Sequence, residues 1–409
     1  MPGAGGAGRR FPALHHRNFR RYVAGQSVSL IGFWMQGVAQ AWLVYSVSGS
    51  EFWLGAVAFV QYLPMLCLSP VAGAMIDRVD KYRLILGTQT VAMLLAFVLG
   101  AASWSGYATV PVVAVLAALI GTVGAFDLPA RQSFLVDMVG AEDLPSAIAL
   151  NATIFNSARV VGPAAAGMLI GVVGETPCFF VNGVSYLAAL WAFLGMRLPP
   201  RTSRTPPRGD RSLRSGLDYV RGQPATRSLL LALGLVSVFS LQANVLMPAL
   251  AQRAFAADAL GYGLLLTAYG GGAVLSALLL ARRHRTTAEQ HRQLVAGLVV
   301  FGIGLLGVAA SRSFGMAIAC QLIAGLGMVR FTATTNASVQ LLVDDRYRGR
   351  VMGLHTVMFA GVAPIGSLLL GTLATPYGPR PALIVSGVVP LVVAWWLRAT
   401  LRPAPAARG

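Results

Sequence analysis

Twelve stretches of this chain stay apolar for about 20 residues or more, and the gaps between them collect Arg, Asp, Pro and Gly. Hydrocarbon offers no water to backbone amides, so a stretch immersed in it must close its hydrogen bonds within itself as a helix. The runs fall at about 22–46, 53–76, 84–104, 109–128, 147–173, 177–196, 228–252, 261–281, 293–311, 315–342, 351–374 and 381–401, each long enough for the ~30 Å core of a bilayer. The expected fold class is an all-α integral membrane protein with 12 transmembrane helices. Composition agrees: apolar residues are 56% of the chain and charged residues 11%, against roughly 25% charged in a soluble domain. The first run, Tyr22 to Ser46, exceeds the core of a cleavable signal and is expected to remain as a helix.

The two halves of the chain repeat each other. Gly121, Gly162, Gly167 and Gly174 recur 204 residues later as Gly325, Gly366, Gly371 and Gly378, as do Val139 at Val343, Leu150 at Leu354, Gly100 at Gly304 and Arg78 at Arg282. A duplicated, apolar chain predicts two pseudo-symmetric six-helix bundles, the ground plan of a secondary transporter with its site between the repeats. The expected division is 1–200, a basic cytoplasmic linker at 201–224, and 225–409. The linker is rich in Pro, Arg and Ser; around Leu213, Leu217 and Val220 it has an amphipathic piece suited to an anionic leaflet, or it simply connects.

The excess of 32 Lys+Arg over 14 Asp+Glu would suggest nucleic acid in a soluble chain, but here the basic residues sit in alternate gaps between apolar runs. One side holds Arg9 to Arg21, Arg78, Lys81, Arg83, Arg131, the linker arginines, Arg282 to Arg292 and Arg346 to Arg350; the other holds Arg253, Arg312 and Arg380. By the positive-inside rule both termini are expected to be cytoplasmic in a multi-pass protein of the inner (plasma) membrane, with the bilayer as partner and no nucleic acid. Cys67, Cys178 and Cys320 lie in apolar runs without metal-ligand spacing. No GxxxxGK[ST], HExxH or GxSxG occurs, so neither an ATP-driven pump nor an enzyme is expected, and no cofactor or metal.

Polar residues inside apolar runs are the candidate site. Arg159 falls near the middle of the fifth run and Arg330 in the tenth; a central Arg costs about 2.5–3.5 kcal/mol and should face protein or water, as a substrate or coupling group or as a brace. Gln36 and Gln40 share a helical face with Ser29 and Phe33. Asn336 and His355 complete the candidates, although any one of these is as readily an interhelical bond. No Asp or Glu is expected deep in a span, with Asp127 placed near the end of the fourth.

After the second run, "GAMIDRVDKYRLIL" sets Gly73, Asp77, Arg78, Lys81 and Arg83 in one hairpin, with Asp80 available for a side-chain turn bond. The fifth run holds "SARVVGPAAAG", with Gly162, Pro163 and Gly167 on a small-residue face. The first segment resembles the loop 2–3 signature of the major facilitator superfamily, and the second resembles a degenerate antiporter signature of the same superfamily. With "FDLPARQSFLVDMV" (Phe126 to Val139) and "DDRYRGRVMGL" (Asp344 to Leu354), the chain resembles the branch that holds the enterobactin exporter and macrolide efflux relatives. That resemblance implies the major facilitator fold and a monomeric, secondary active exporter of small amphipathic molecules, drug-like or siderophore-like, working by alternating access; the coupling ion is left open, with Asp127, Asp77 and His355 as the groups available for proton coupling. It also implies that Asp77 faces the start of the eleventh helix as a gate, with Asp127 as a second acid for Lys81 or Arg78. An importer of a small polar solute and a non-transporting sensor or scaffold on the same fold are the alternatives.

Overall fold

The computed structural model describes residues 12–76, 79–196, 213–281 and 287–400. Among the described residues, twelve helices are long and apolar enough to cross a membrane. In chain order they are α1 (Arg17–Ser48), α2 (Glu51–Ile76), α3 (Lys81–Trp104), α4 (Val110–Val139), α5 (Leu144–Val173), α6 (Thr176–Leu194), α7 (Pro224–Phe255), α8 (Ala259–Ala281), α9 (Thr287–Ala310), α10 (Phe314–Leu342), α11 (Asp345–Tyr377) and α12 (Pro379–Thr400). The end of the bundle at which α1 begins and α12 ends is called the base, and the opposite end the crown.

The first six helices pack on one another, α1 against α5 and α6, α2 against α4, α3 against α4 and α6; the last six do likewise, α8 and α9 against α10 and α9 against α12. The bundles meet along α2 with α11 and α5 with α8. Trp104, Trp191, Trp395 and Tyr377 stand outward and exposed near the helix ends, which suits an interfacial aromatic belt.

The half-chain repeat is visible as equivalent contacts. Gly162 on α5 lies against Trp34 of α1, and Gly366 on α11 against Val238 of α7, partners themselves 204 residues apart. Gly121 lies against the Gln61 carbonyl of α2, and Gly325 against the Tyr269 carbonyl of α8. Gly174 and Gly378 end α5 and α11 at φ 84° and 80°, a region that favours glycine. Gly100 and Gly304 do not correspond: the first meets Phe180 of α6, the second Ala324 of α10. Arg78 and Arg282 lie outside the described residues.

Two expectations need correction. The fourth helix does not stop at 128 but runs to Val139, because Asp127 and Arg131 neutralise each other at i, i+4 while Ala130, Phe134, Leu135 and Met138 continue the buried face. The later part of the linker is a helix, Leu213–Gly222, that docks on the base of α11. Its Tyr219 ring stacks on Tyr347 at 4.4 Å, its hydroxyl accepts the Asp344 N–H, and Val220 is buried. Tyr219 and Val220 therefore meet protein, while Leu217 stays exposed.

Both α7 and α11 are interrupted in mid-course. A π-turn at Ser237–Leu241 and a 3₁₀ turn at Ala243–Leu246 break α7, and a π-turn at Val357–Gly361 breaks α11 just before Pro364. Proline has no N–H and its ring crowds the carbonyl four residues back, so a widened turn ahead of it relieves the clash.

Candidate transport site

Arg159 sits midway along α5, half-buried, and reaches across the seam between the bundles. Its guanidinium lies 6.0 Å from the Trp34 ring of α1 and 5.1 Å from the Tyr269 ring of α8. The Tyr269 hydroxyl hydrogen-bonds Arg159 and Asn244, and Asn244 Oδ1 accepts from Gln321 Nε2 at 3.5 Å. A polar chain thus runs α5, α8, α7, α10 through the interrupted part of α7. Two desolvated cation–π contacts, ~1–2 kcal/mol each, offset the insertion cost of the arginine without a carboxylate. Among the described residues no acid pairs with Arg159, so the site keeps a positive charge walled by aromatic faces. Phe155 and Phe33 extend that wall at ring distances of 5.6 and 6.1 Å from Trp34, whose buried Nε1 has no partner among the described residues. His355, buried two residues before the break in α11, stacks on Phe359 at 6.4 Å and likewise leaves Nε2 without one.

Other predicted site residues are spent on interhelical or local bonds. Gln36 Oε1 accepts from Asn182 of α6 at 2.6 Å, and Gln40 Nε2 donates to Gln61 of α2 at 3.0 Å. Neither is brought to Arg159: the shared face of α1 is satisfied by neighbouring helices of its own bundle. Arg330 Nε donates to Gln293 of α9 at 2.6 Å, a brace, and Asn336 accepts from Gln340 one turn on.

Asp127 is not at a helix end. It stands twelve residues, about 18 Å of helix, from the base end of α4, and it is 5% exposed. Its Oδ1 accepts from Thr88 at 2.8 Å and Gln89 at 3.0 Å, and its Oδ2 faces Arg131 Nε at 2.7 Å. The expectation that no carboxylate lies deep in a span is overturned, and so is its pairing with Lys81, which takes Asp137 at 3.2 Å instead. In the loop after α2, Asp80 caps α3 by accepting from the Tyr82 and Arg83 amides, while exposed Arg83 stays 3.9 Å from Asp80. Gly73 lies in α2, and Asp77 and Arg78 fall outside the described residues.

Gly162, Pro163 and Gly167 form a packing seam. Gly162 admits Trp34, the Pro163 carbonyl faces Gly263 of α8, and Gly167 meets Gly263, Ala259 and Leu260. Gly371 and Gly55 make the matching seam between α11 and α2. Sequence reasoning missed the lock above these seams. Glu51, 1% exposed at the start of α2, pairs with Arg253 at the crown end of α7 at 2.9 Å, and Arg253 also donates to the Gly49 carbonyl at 3.0 Å. Trp42 stacks on Tyr262 beside it at 6.2 Å. Every one of these cross-bundle contacts lies at the crown or mid-depth, down to Arg159 with Tyr269 and Leu66 against Gly361.

A family profile described as transmembrane secretion effector matches residues 9–407. The chain is 26% identical to a staphyloferrin A transporter of Staphylococcus aureus (90% of this chain, 92% of that protein) and 23% identical to macrolide efflux protein A of Streptococcus pyogenes (91% and 93%). It is 27% identical to the multidrug efflux pump Tap of Mycobacterium tuberculosis (87% and 85%). Among solved structures, a bacterial homologue of the lysosomal transporter Spinster in an inward-facing, occupied conformation matches with a TM-score of 0.74 at 14% identity (96% of this chain, 99% of that one). A bacterial homologue of ferroportin in an inward-facing state matches at 0.71 and 16% (94% and 99%). At those identities the structures speak for the fold alone. With twelve spans in two pseudo-symmetric bundles and a profile covering nearly its whole length, the chain belongs to the transmembrane secretion effector family of major facilitator transporters and is a membrane transporter rather than an enzyme.

Proposed function

We propose that this protein is a monomeric, secondary active exporter of small amphipathic molecules, drug-like or siderophore-like, that works by alternating access as residues 1–200 rock against 225–409, joined by the 201–224 linker. The observation that carries the reading is that the cross-bundle contacts named above, among the described residues, lie at the crown and mid-depth, down to the Arg159 site. A seal at one end over a central polar and aromatic site is one of the two states that alternating access requires. The arginine asymmetry supports a cytoplasmic base, which makes this the inward-facing state. Export is favoured by the efflux relatives. The site suits a cargo with an aromatic or apolar body and an anionic group, held by stacking and by the fork of Arg159.

Proton coupling is assigned to Asp127. A buried carboxylate shared by Thr88, Gln89 and Arg131 changes its hydrogen bonding when it takes a proton, and it lies outside the Arg159 site, so proton and cargo need not compete for one group. Efflux of a cargo panel from cells, with and without an uncoupler, tests the reading. The expected result is outward movement of at least one amphipathic cargo that the uncoupler stops. Inward accumulation, or no flux of any cargo by a folded, inserted protein, would refute it.

A further inference from the structure

On the lipid-facing side of the first bundle, α1 and α6 enclose two adjoining hollows that share Ala188 and Trp191. The hollow nearer the centre of the bilayer measures about 570 Å³ and is lined almost wholly by apolar groups, among them Val28, Ile31, Val184 and Leu187. The one at the base, about 380 Å³, is ringed by Arg17, Arg20 and Arg21. From Arg21 to Met35 the groove follows α1 for about 21 Å, longer than one leaflet's ~15 Å share of the hydrocarbon. Trp191, 79% exposed, stands at the junction of the basic and apolar parts.

Three features distinguish this groove from ordinary lipid-facing surface. First, no carboxylate pairs with Arg17, Arg20 or Arg21 among the described residues. Second, Arg17 and Arg20 stand in the first turn of α1, which holds no acidic residue, and Arg21 opens the next, so they add to the positive end of the helix dipole where cations are disfavoured. Third, the repeat does not copy the groove. Trp191 recurs as Trp395, 73% exposed, but Gly25 and Gly32 become buried Leu229 and Val236, and Arg20 and Arg21 become Pro224 and Ala225. At Gly25 and Gly32 an added Cβ would strike Ala188, Ala192 or Ser185 of α6.

We propose that the α1/α6 groove is a binding site for one anionic phospholipid, with an acyl chain along Val28, Ile31 and Leu187 and its headgroup phosphate held by Arg17, Arg20 and Arg21. A basic cluster that continues into an apolar slot matches both ends of that molecule; a free phosphate lacks the chain, and a zwitterionic lipid brings an ammonium that the three arginines repel. Each surface arginine favours an anionic lipid roughly fivefold, and one phosphate shared among three supports a preference of roughly tenfold over phosphatidylcholine.

Quenching of Trp191 by brominated lipids tests this on the full-length protein in nanodiscs, with Trp191→Phe as the difference that isolates its signal. Brominated phosphatidylglycerol should quench Trp191 at roughly one-tenth the mole fraction that brominated phosphatidylcholine requires. Arg17→Gln/Arg20→Gln/Arg21→Gln should bring the two lipids to parity at Trp191 and leave Trp395 unchanged. The triple Lys variant should keep most of the preference, which separates charge from folding. Equal quenching by both lipids in the parent, a preference that survives the Gln triple, or its loss in the Lys triple would each overturn the proposal.

Discussion

Replacing Glu51 by Gln should release the crown without unfolding either bundle. At 2.9 Å and an effective dielectric of ~20, the Glu51–Arg253 attraction is about 6 kcal/mol before solvent is counted. Arg253 is 46% exposed and keeps its bond to the Gly49 carbonyl, so water takes up much of its charge when the carboxylate goes and the net loss falls to ~1–2 kcal/mol. That corresponds to a factor of roughly 5–30 in the balance between crown-closed and crown-open states. Spin labels at Tyr107 and Tyr377, exposed crown positions on opposite bundles, with Cys67 first replaced by Ala, report the balance as a distance distribution. Glu51→Gln should populate a longer distance, and Arg253→Gln the same one, with the double variant no further shifted than either single. Unchanged distributions in both single variants would refute the claim that this pair latches the crown.

Asp127→Asn leaves Arg131 buried without its counter-charge and should lower thermal stability by ~3 kcal/mol while cutting uncoupler-sensitive efflux at least roughly tenfold; parent-like efflux after rescue by a stabilising lipid or ligand would remove Asp127 from coupling. Arg159→Lys keeps the charge but loses the planar fork and its stacking, so Lys and Ala should both weaken binding of an anionic amphipathic cargo by roughly tenfold; calorimetry in detergent reads this, and parent-like affinity in either variant argues against the site. Gly263→Val places a Cβ 2.6 Å from the Pro163 carbonyl across the seam, a clash relieved by opening the crown, so the Tyr107–Tyr377 distance should lengthen as in Glu51→Gln.

Span number, the duplication and the mid-helix position of Arg159 were legible in the sequence because each depends on local composition or a fixed offset. The end of α4 was not, since Asp127 and Arg131 look like a membrane boundary until their i, i+4 pairing cancels the charge. Gln36 and Gln40 share a helical face with Phe33, but periodicity cannot say which neighbour that face meets, and Asn182 and Gln61 claim them. Glu51 and Arg253 are 202 positions apart in different bundles, and only tertiary packing joins them. Pro364 just past the break in α11 and Pro248 just past the break in α7 are the local signals of the two interruptions.

Those interruptions have no counterpart in the first bundle: residues 33–42 and 153–157, which the repeat aligns with the broken segments of α7 and α11, are continuous α-helix. A widened turn gives up regular hydrogen bonds and bends at lower cost than an intact one. In the proposed transport cycle the pair of bundles is a door with one stiff leaf and one jointed leaf, in which the second half would adapt its inner wall to the passenger while the first holds the frame.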